Sequence, residues 1–369
     1  MSNMKTVIIG NGISGYMVAS AMDKAGMEVL QFSEEPYGFY SRIKLPQALC
    51  DEKALALLPA QVSPPYLRHQ KVTALDIKGK QVMLEDHRTE GYDRLVLATG
   101  SRSRTLSQFD AMQGVHALRT LADAYALTKD MRSPVCVLGG GLLGLEVART
   151  ISRKGFEVTV LEGATHILNR QLNVDASVLL KTRLEHEGLH IEENYELSTV
   201  ERNKDSIVAV SSKDGRRREC RTMILSLGVN PEVTLAREAG LTVSRGIVVN
   251  NKLESSAKDV YAIGDCAEYD KMVPGITSVA SLMANTLVSR FQGKEAVYVN
   301  PPLLTRLKDD SFDLVSMGDI SGEVHQKDEG ESHEFYFTKE GILCGVILFN
   351  ASHRLSFAKA SLGTSFSAF

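Results

Sequence analysis

The sequence has no pair of cysteines at the spacing of a redox dithiol or a metal knuckle. Cys50, Cys136, Cys220, Cys266 and Cys344 are five, an odd number, and no two stand in C-x-x-C or C-x-x-x-x-C register. Scattered thiols of this kind suit a reducing compartment and offer neither a disulfide framework nor a thiolate metal site. His186 and His190 are four apart, but the glycine within EHEGLH ends a helix between them, so no metal is expected there. No stretch approaches the roughly 18 uninterrupted apolar residues of a membrane span. MSNMKTVIIG runs straight into a strand without the apolar core and cleavage site of a secretory leader. The expectation is a cytoplasmic chain with no membrane partner. Basic runs are missing as well, and with a formal net charge of −3 the chain lacks a nucleic-acid footprint. At 369 residues, 43% hydrophobic and 24% charged, it has ordinary globular composition and room for two or three cores.

What the chain does contain, twice, is an apolar run followed by G-x-G-x-x-G and a helical pattern. VIIGNGISG supplies Gly10, Gly12 and Gly15; VCVLGGGLLG supplies Gly139, Gly141 and Gly144. The first glycine of such a motif permits the tight strand-to-helix turn, the second lets a pyrophosphate approach bare backbone, and the third allows close helix packing. The phosphates then rest against a helix N-terminus, where unpaired N–H groups and the macrodipole favour negative charge. All three glycines, and Gly26 and Gly155 at the helix ends, are offset by the same 129 positions. Two dinucleotide-binding units are therefore expected.

Between and after these units come two strand-to-glycine exits. YDRLVLATGSRSR predicts a strand over Leu95 to Ala98 running into Thr99-Gly100-Ser101, and CRTMILSLGVNPE repeats the pattern with Ser226-Leu227-Gly228. Such exits let the chain pass close to a ligand or leave a domain. In GIVVNNKLESSAKDVYAIGDCAEY, Asp265 follows an apolar strand and a glycine. That places a carboxylate at the ligand-binding edge of a doubly wound sheet, although a helix cap or turn would also use an aspartate. The last 70 residues read as short alternating strands and a closing helix, a separate small domain, with KDEGESHE as a solvated loop.

Taken together, GNGISG, FYSRIKL, LVLATGS, VLGGGLLGLE, SLGVNP and VYAIGDCAE resemble the pyridine nucleotide-disulfide oxidoreductases across nearly the whole chain, and most of all their NADH:rubredoxin and NADH:flavorubredoxin reductases. The resemblance implies an α/β fold: two Rossmann-like dinucleotide-binding domains in the glutathione-reductase-like arrangement plus a small α+β C-terminal domain. The expected division is 1–111 and 232–298 for FAD, 112–231 for NAD and 299–369 for the C-terminal domain. FAD is implied over Gly10, Gly12 and Gly15, near Ser14, with Arg42 on its pyrophosphate, the natural task of a planar guanidinium. Lys44 assists or is simply solvated. Val72 meets the adenine through its backbone, Ala98, Thr99 and Gly100 form the crossing beside the flavin, and Asp265 takes the ribityl chain. For the adenosine ribose, the 129 offset points to Ser33 while a one-residue shift points to Glu34.

The second unit is implied to hold the nicotinamide nucleotide on Gly139, Gly141, Leu142, Leu143 and Gly144, with Glu146 and Gly228 nearby. Glu162 ends its second strand 23 residues after Gly139, near the roughly 20-residue spacing of a ribose-binding carboxylate. A 2′-phosphate would be repelled there and GATHILN offers no arginine for it, so NADH is expected over NADPH. The cysteine that relatives use for disulfide or peroxide chemistry has no equivalent: Ile43 and Lys44 fill its place before Leu-Pro, and Cys50 comes too late. Cys266 is either close to the flavin or a small buried packing residue. External electron transfer remains, to a small acidic rubredoxin-like protein docking on Arg42, Lys44, Arg306 and Lys308. The alternatives are a ferredoxin reductase of an oxygenase system, a cysteine-free NADH oxidase, or a redox-sensing interaction module. The chain is expected to be a monomer or weak dimer.

Overall fold

Strand β1 (Thr6–Ile9) is buried along its whole length, as expected of Val-Ile-Ile in a sheet covered on both faces. The chain then passes Gly12 into helix α1 (Ile13–Lys24), turns at Gly26 and returns as β2 (Val29–Ser33). The same trio recurs as β3 (Val135–Leu138), α2 (Leu142–Arg153) and β4 (Val158–Leu161), each starting 129 positions after its counterpart. These elements come from a computed structural model that describes residues 4–308 and 311–367, with Lys308 described through its backbone only.

The chain forms two compact units. One comprises the residues up to Arg104, Arg119–Thr128 and Gly228–Pro301; the other comprises Thr105–Leu118, Lys129–Leu227 and the residues from Pro302 onward. In the first unit a five-stranded parallel sheet runs Val260–Ala262, Arg94–Leu97, β1, β2, Leu67–His69. Its register sets Ile9 opposite Phe32 and Leu97, and Leu97 opposite Ala262. Three strand exits therefore open at one edge, which is also where the strand order reverses, the place where doubly wound sheets bind ligands. Ala98, expected as the last strand residue, already belongs to the exit. A three-stranded antiparallel sheet of Val72–Asp76, Gln81–Leu84 and Thr89–Gly91 belongs to this unit.

In the second unit the parallel sheet runs His190–Glu192, β4, β3, Thr222–Leu225, Val115–Ala117, again with the glycine-turn strand in the middle. The C-terminal segment forms a five-stranded antiparallel sheet, in the order Leu304–Lys308, Asp313–Gly318, Ile342–Phe349, Ser332–Lys339, Glu323–Glu329, followed by helix Leu355–Ser361. A partly buried charge cluster ties this sheet to helix α2 of the same unit. Glu187 accepts from Arg149 Nη2 at 2.9 Å and Arg153 Nη2 at 3.2 Å, and also from the Ser311 hydroxyl. Arg149 lies over the Phe312 ring at 4.9 Å. Burial pushes the Glu187 carboxyl up, but the Ser311 hydroxyl and the Arg149 guanidinium outweigh it and hold the group below the ordinary glutamate value.

Candidate cofactor sites

The glycines of each turn serve two separate demands. A Cβ on Gly10 would stand 2.1 Å from the Ala98 carbonyl oxygen, and one on Gly15 2.1 Å from the Gly10 oxygen. In the second turn the distances are 2.3 Å from Ser226 O for Gly139 and 2.1 Å from Gly139 O for Gly144. Packing alone forces these four to be glycine. The middle glycines are different: a Cβ on Gly12 would meet only Arg42 Nη1, at 3.3 Å, and one on Gly141 would meet nothing within 4 Å. Both are helix N-caps in extended conformation without a side-chain cap among the described residues. Each turn thus offers uncapped N–H groups beside open space that a side chain would fill, a cradle that fits a phosphate group.

Around the first turn, Arg42 opens a short 3-10 turn and sets its guanidinium over Gly12. It is ion-paired with Glu35 and lies 5.2 Å from the Tyr40 ring centre. The Tyr40 hydroxyl donates to the same Glu35 carboxylate and accepts from the Leu121 N–H at 3.0 Å. Burial pushes this phenol up, against the pull of Arg42 and with the help of Glu35. The carboxylate that meets Arg42 is therefore Glu35, one position beyond Glu34 and two beyond Ser33, the residues weighed from the sequence. Glu34 is exposed and 3.9 Å from Lys71 Nζ, while Ser33 is buried and its hydroxyl accepts from the Glu35 N–H at 3.2 Å. Ser14 is buried and donates to the Ala280 carbonyl at 3.3 Å, its oxygen packed where a Cβ on Gly264 would be.

Asp265 sits in the 3-10 turn Gly264–Cys266 at the sheet edge. Its Oδ2 accepts from Ser101 Oγ at 3.0 Å and from Arg119 Nη2 at 2.8 Å. Arg119 also donates to Ser101 O and Oγ, at 3.2 and 2.6 Å. This arginine carries no motif and lies 146 positions before Asp265, so pattern reading passes over it. Thr99 Oγ1 donates to Glu232 O at 2.6 Å, Gly100 has φ +73°, and Val72 is buried in its strand. Cys266 is fully buried, its thiol directed at the Leu97 and Ile263 carbonyls and pushed up by that burial.

Around the second turn, Glu162 lies against the glycines: Oε2 accepts from the Gly140 N–H at 2.6 Å and Oε1 from the Ala164 N–H at 2.7 Å. Each oxygen keeps a further lone pair for a hydroxyl donor. Leu142 and Leu143 open α2, with Leu143 exposed. Glu146 stands on the same helix, and burial pushes its carboxyl up against the pull of Arg149. Gly228, expected near this turn, falls in the first unit, where at φ +84° it accepts from the Arg104 N–H at 3.0 Å.

Of the expected docking cations, Lys44 is exposed beside Ile43, itself 59% exposed. Arg306 is held bidentately by Asp313 at 2.9 and 2.5 Å. The Lys308 side chain lies outside the described residues. A cavity of about 610 Å³ in the first unit is lined by Lys5, Glu28, Arg68, Arg88 and Glu90 among others, and by none of the glycines of the first turn. Among the described residues no helix is long and apolar enough to cross a membrane.

The chain is 30% identical to the assimilatory nitrate reductase electron transfer subunit of Bacillus subtilis over 95% of its own length and 48% of that protein's, so it spans about half of that relative. It is 32% identical to the rubredoxin-NAD(+) reductase of Pseudomonas putida over 72% of each chain. Among solved structures, the ferredoxin reductase for the CYP199A2 system from Rhodopseudomonas palustris superposes with a TM-score of 0.88 at 26% identity, covering 99% of this chain and 96% of that one. A family model, described as pyridine nucleotide-disulphide oxidoreductase, matches residues 4–284. FAD and NADH are the cofactors of that family, in keeping with two phosphate cradles on one chain. The chain belongs to the pyridine nucleotide-disulphide oxidoreductase family.

Proposed function

We propose that the chain is an FAD-containing, NADH-dependent reductase that delivers electrons to a small acidic iron protein of the rubredoxin type. The observation that carries this reading is the contrast between two otherwise matching turns, one with an arginine above its open glycine, the other with a carboxylate beside it. An arginine suits a permanently held pyrophosphate, while a carboxylate suits ribose hydroxyls and repels a 2′-phosphate. On this reading FAD occupies the first turn, with Gly10, Gly12, Gly15 and Arg42 on its phosphates. Ser33, Glu34 or Glu35 would take its ribose, and Val72, Ala98, Thr99, Gly100 and Asp265 would lie along it, Arg119 steadying Asp265. NADH occupies the second, on Gly139, Gly141, Leu142, Leu143 and Gly144, with Glu162 on the ribose and Glu146 and Gly228 near the nicotinamide. The four-segment domain division expected from the sequence belongs to the same proposal.

FAD, when bound, takes up two electrons as hydride and passes them on singly. The residues of the chain hold, orient and shield; no acid, base or nucleophile is assigned among them. The five free cysteines fit a cytoplasmic setting, and the absence of a thiol from the Arg42–Lys44 turn separates the chain from disulfide chemistry. A second reading, a ferredoxin reductase serving an oxygenase, draws on the similarity to the Rhodopseudomonas palustris enzyme. It shares the cofactors and differs only in the acceptor.

Titration of the yellow protein with each nicotinamide nucleotide tests the cofactor assignment. The flavin absorbance should bleach at well over tenfold lower NADH than NADPH, and Glu162→Ala should narrow that preference. Equal response to both nucleotides in the parent protein contradicts the role of Glu162.

A further inference from the structure

The two β-α-β units are matched closely enough for one to serve as a control for the other, and at one buried position they differ in kind. Gln31 on β2 lies opposite Ile8; its counterpart 129 positions on is Val160, opposite Val137 on β3. Both side chains are wholly buried. Gln31 Nε2 donates to the Gly10 carbonyl at 2.9 Å, while Oε1 is buried with no hydrogen-bond partner among the described residues.

The amide is not required to close the turn. Gly10 and Gly139 have φ +111° and +112°, and each carbonyl oxygen lies 2.1 Å from where a Cβ would stand on the third glycine of its motif. In the second unit Val160 leaves the carbonyl side alone, and the equivalent peptide is held from its other side, the Gly140 N–H donating to Glu162 Oε2 at 2.6 Å. A buried amide with one end unsatisfied costs stability relative to valine, so fold alone does not account for Gln31. What the amide adds is a fixed carbonyl. In a planar trans peptide the C=O of Gly10 and the N–H of Asn11 point opposite ways, so pinning the carbonyl inward aims the N–H at the open side of the turn. A flip of that peptide, which the glycine's backbone freedom permits, would turn a carbonyl oxygen toward phosphate.

We propose that Gln31 is a positioning residue that locks the first glycine turn against this flip from the carbonyl side, leaving the Asn11 N–H to the dinucleotide, so that the first turn retains what it binds. The inference rests on the proposed reading in which the first turn holds FAD.

The test compares Gln31→Met, of similar volume without a donor, and Gln31→Val, the residue of the second unit. FAD release is followed by the rise in flavin fluorescence on dilution of the holoprotein, and the melting temperature of the apoprotein is measured in parallel. Both variants should release FAD about fivefold faster, the effect of one net hydrogen bond. Their apoproteins should melt at the parent temperature or above it, and NADH should bind as in the parent. Unchanged FAD release in both variants overturns the proposal. So does a parallel fall in apoprotein stability and FAD retention, which marks Gln31 as a packing residue only. A parent protein that takes up no FAD overturns the flavin reading itself, and this inference with it.

Discussion

Gly10 and Gly141 are both glycine, for different physical reasons, and substitution separates them. Gly10→Ala forces a Cβ into the Ala98 carbonyl at 2.1 Å from a backbone at φ +111°, and should cost about 2–4 kcal/mol in a denaturant titration of the apoprotein. Gly141→Ala meets no atom within 4 Å and has ordinary backbone angles, so stability should stay within about 1 kcal/mol while NADH binding falls at least about tenfold. Equal destabilisation by the two would undo the distinction between packing glycines and phosphate glycines. Glu146 gives a pH-dependent counterpart. Its folded pKa is raised, chiefly by burial, so the contribution of this group is most favourable below the ordinary value of 4.5 and is lost as pH rises through the folded value. Glu146→Gln should therefore raise the apoprotein melting temperature at pH 7.5 and leave it unchanged at pH 4; a lower melting temperature at pH 7.5 would refute the sign.

At the scale of elements, the two β-α-β units were legible because every cue is local: an apolar run, a spaced set of glycines, a helix of the right length and a glycine to close it. The C-terminal antiparallel sheet and its last helix were legible for the same reason, through alternation and turn residues. KDEGESHE, expected as a solvated loop, is instead the tip of a hairpin whose strands Glu323–Glu329 and Ser332–Lys339 pair up to a turn at Gly330, because its run of charges hides the alternation that buries Glu334. What escaped is set by pairing across long sequence separation. Arg119 reaches Asp265 only because strand exits Leu97 and Ala262 share an edge, and nothing around Arg119 in the sequence marks it. Glu35 escaped differently, since SEEP offers two adjacent acids and only the course of the chain after β2 decides which one meets Arg42. Loss of the Glu187 cluster tests how the elements of the second unit are joined. Glu187→Gln should destabilise the apoprotein by about 2 kcal/mol at pH 7, below the roughly 3–5 of a fully buried pair because Glu187 keeps some contact with water. Because its folded pKa is lowered, that contribution is present above 4.5 and disappears as pH falls through the folded value. Parent and variant should converge as pH falls through the folded value, and a gap that stays constant throughout the acid titration would assign the loss to packing.

For the whole molecule, a net charge of −3 would face, on the proposed function, an acceptor that is itself acidic, and productive encounter would then require local positive charge against the general repulsion. Lys44, exposed beside Ile43, is the stronger candidate, since Arg306 already spends its guanidinium on Asp313. Lys44→Glu and Lys308→Glu should each slow reduction of rubredoxin by about threefold to tenfold at low salt and converge with the parent near 0.5 M salt. Rates that ignore ionic strength would reject these lysines. The central claim is most directly tested by anaerobic stopped-flow. The yellow protein is first reduced with NADH and then mixed with oxidised rubredoxin or with oxygen. The account predicts rapid bleaching by NADH, rapid and salt-sensitive reoxidation by rubredoxin, and slow reoxidation by oxygen. Failure to bleach, or reoxidation by oxygen faster than by rubredoxin, would contradict it.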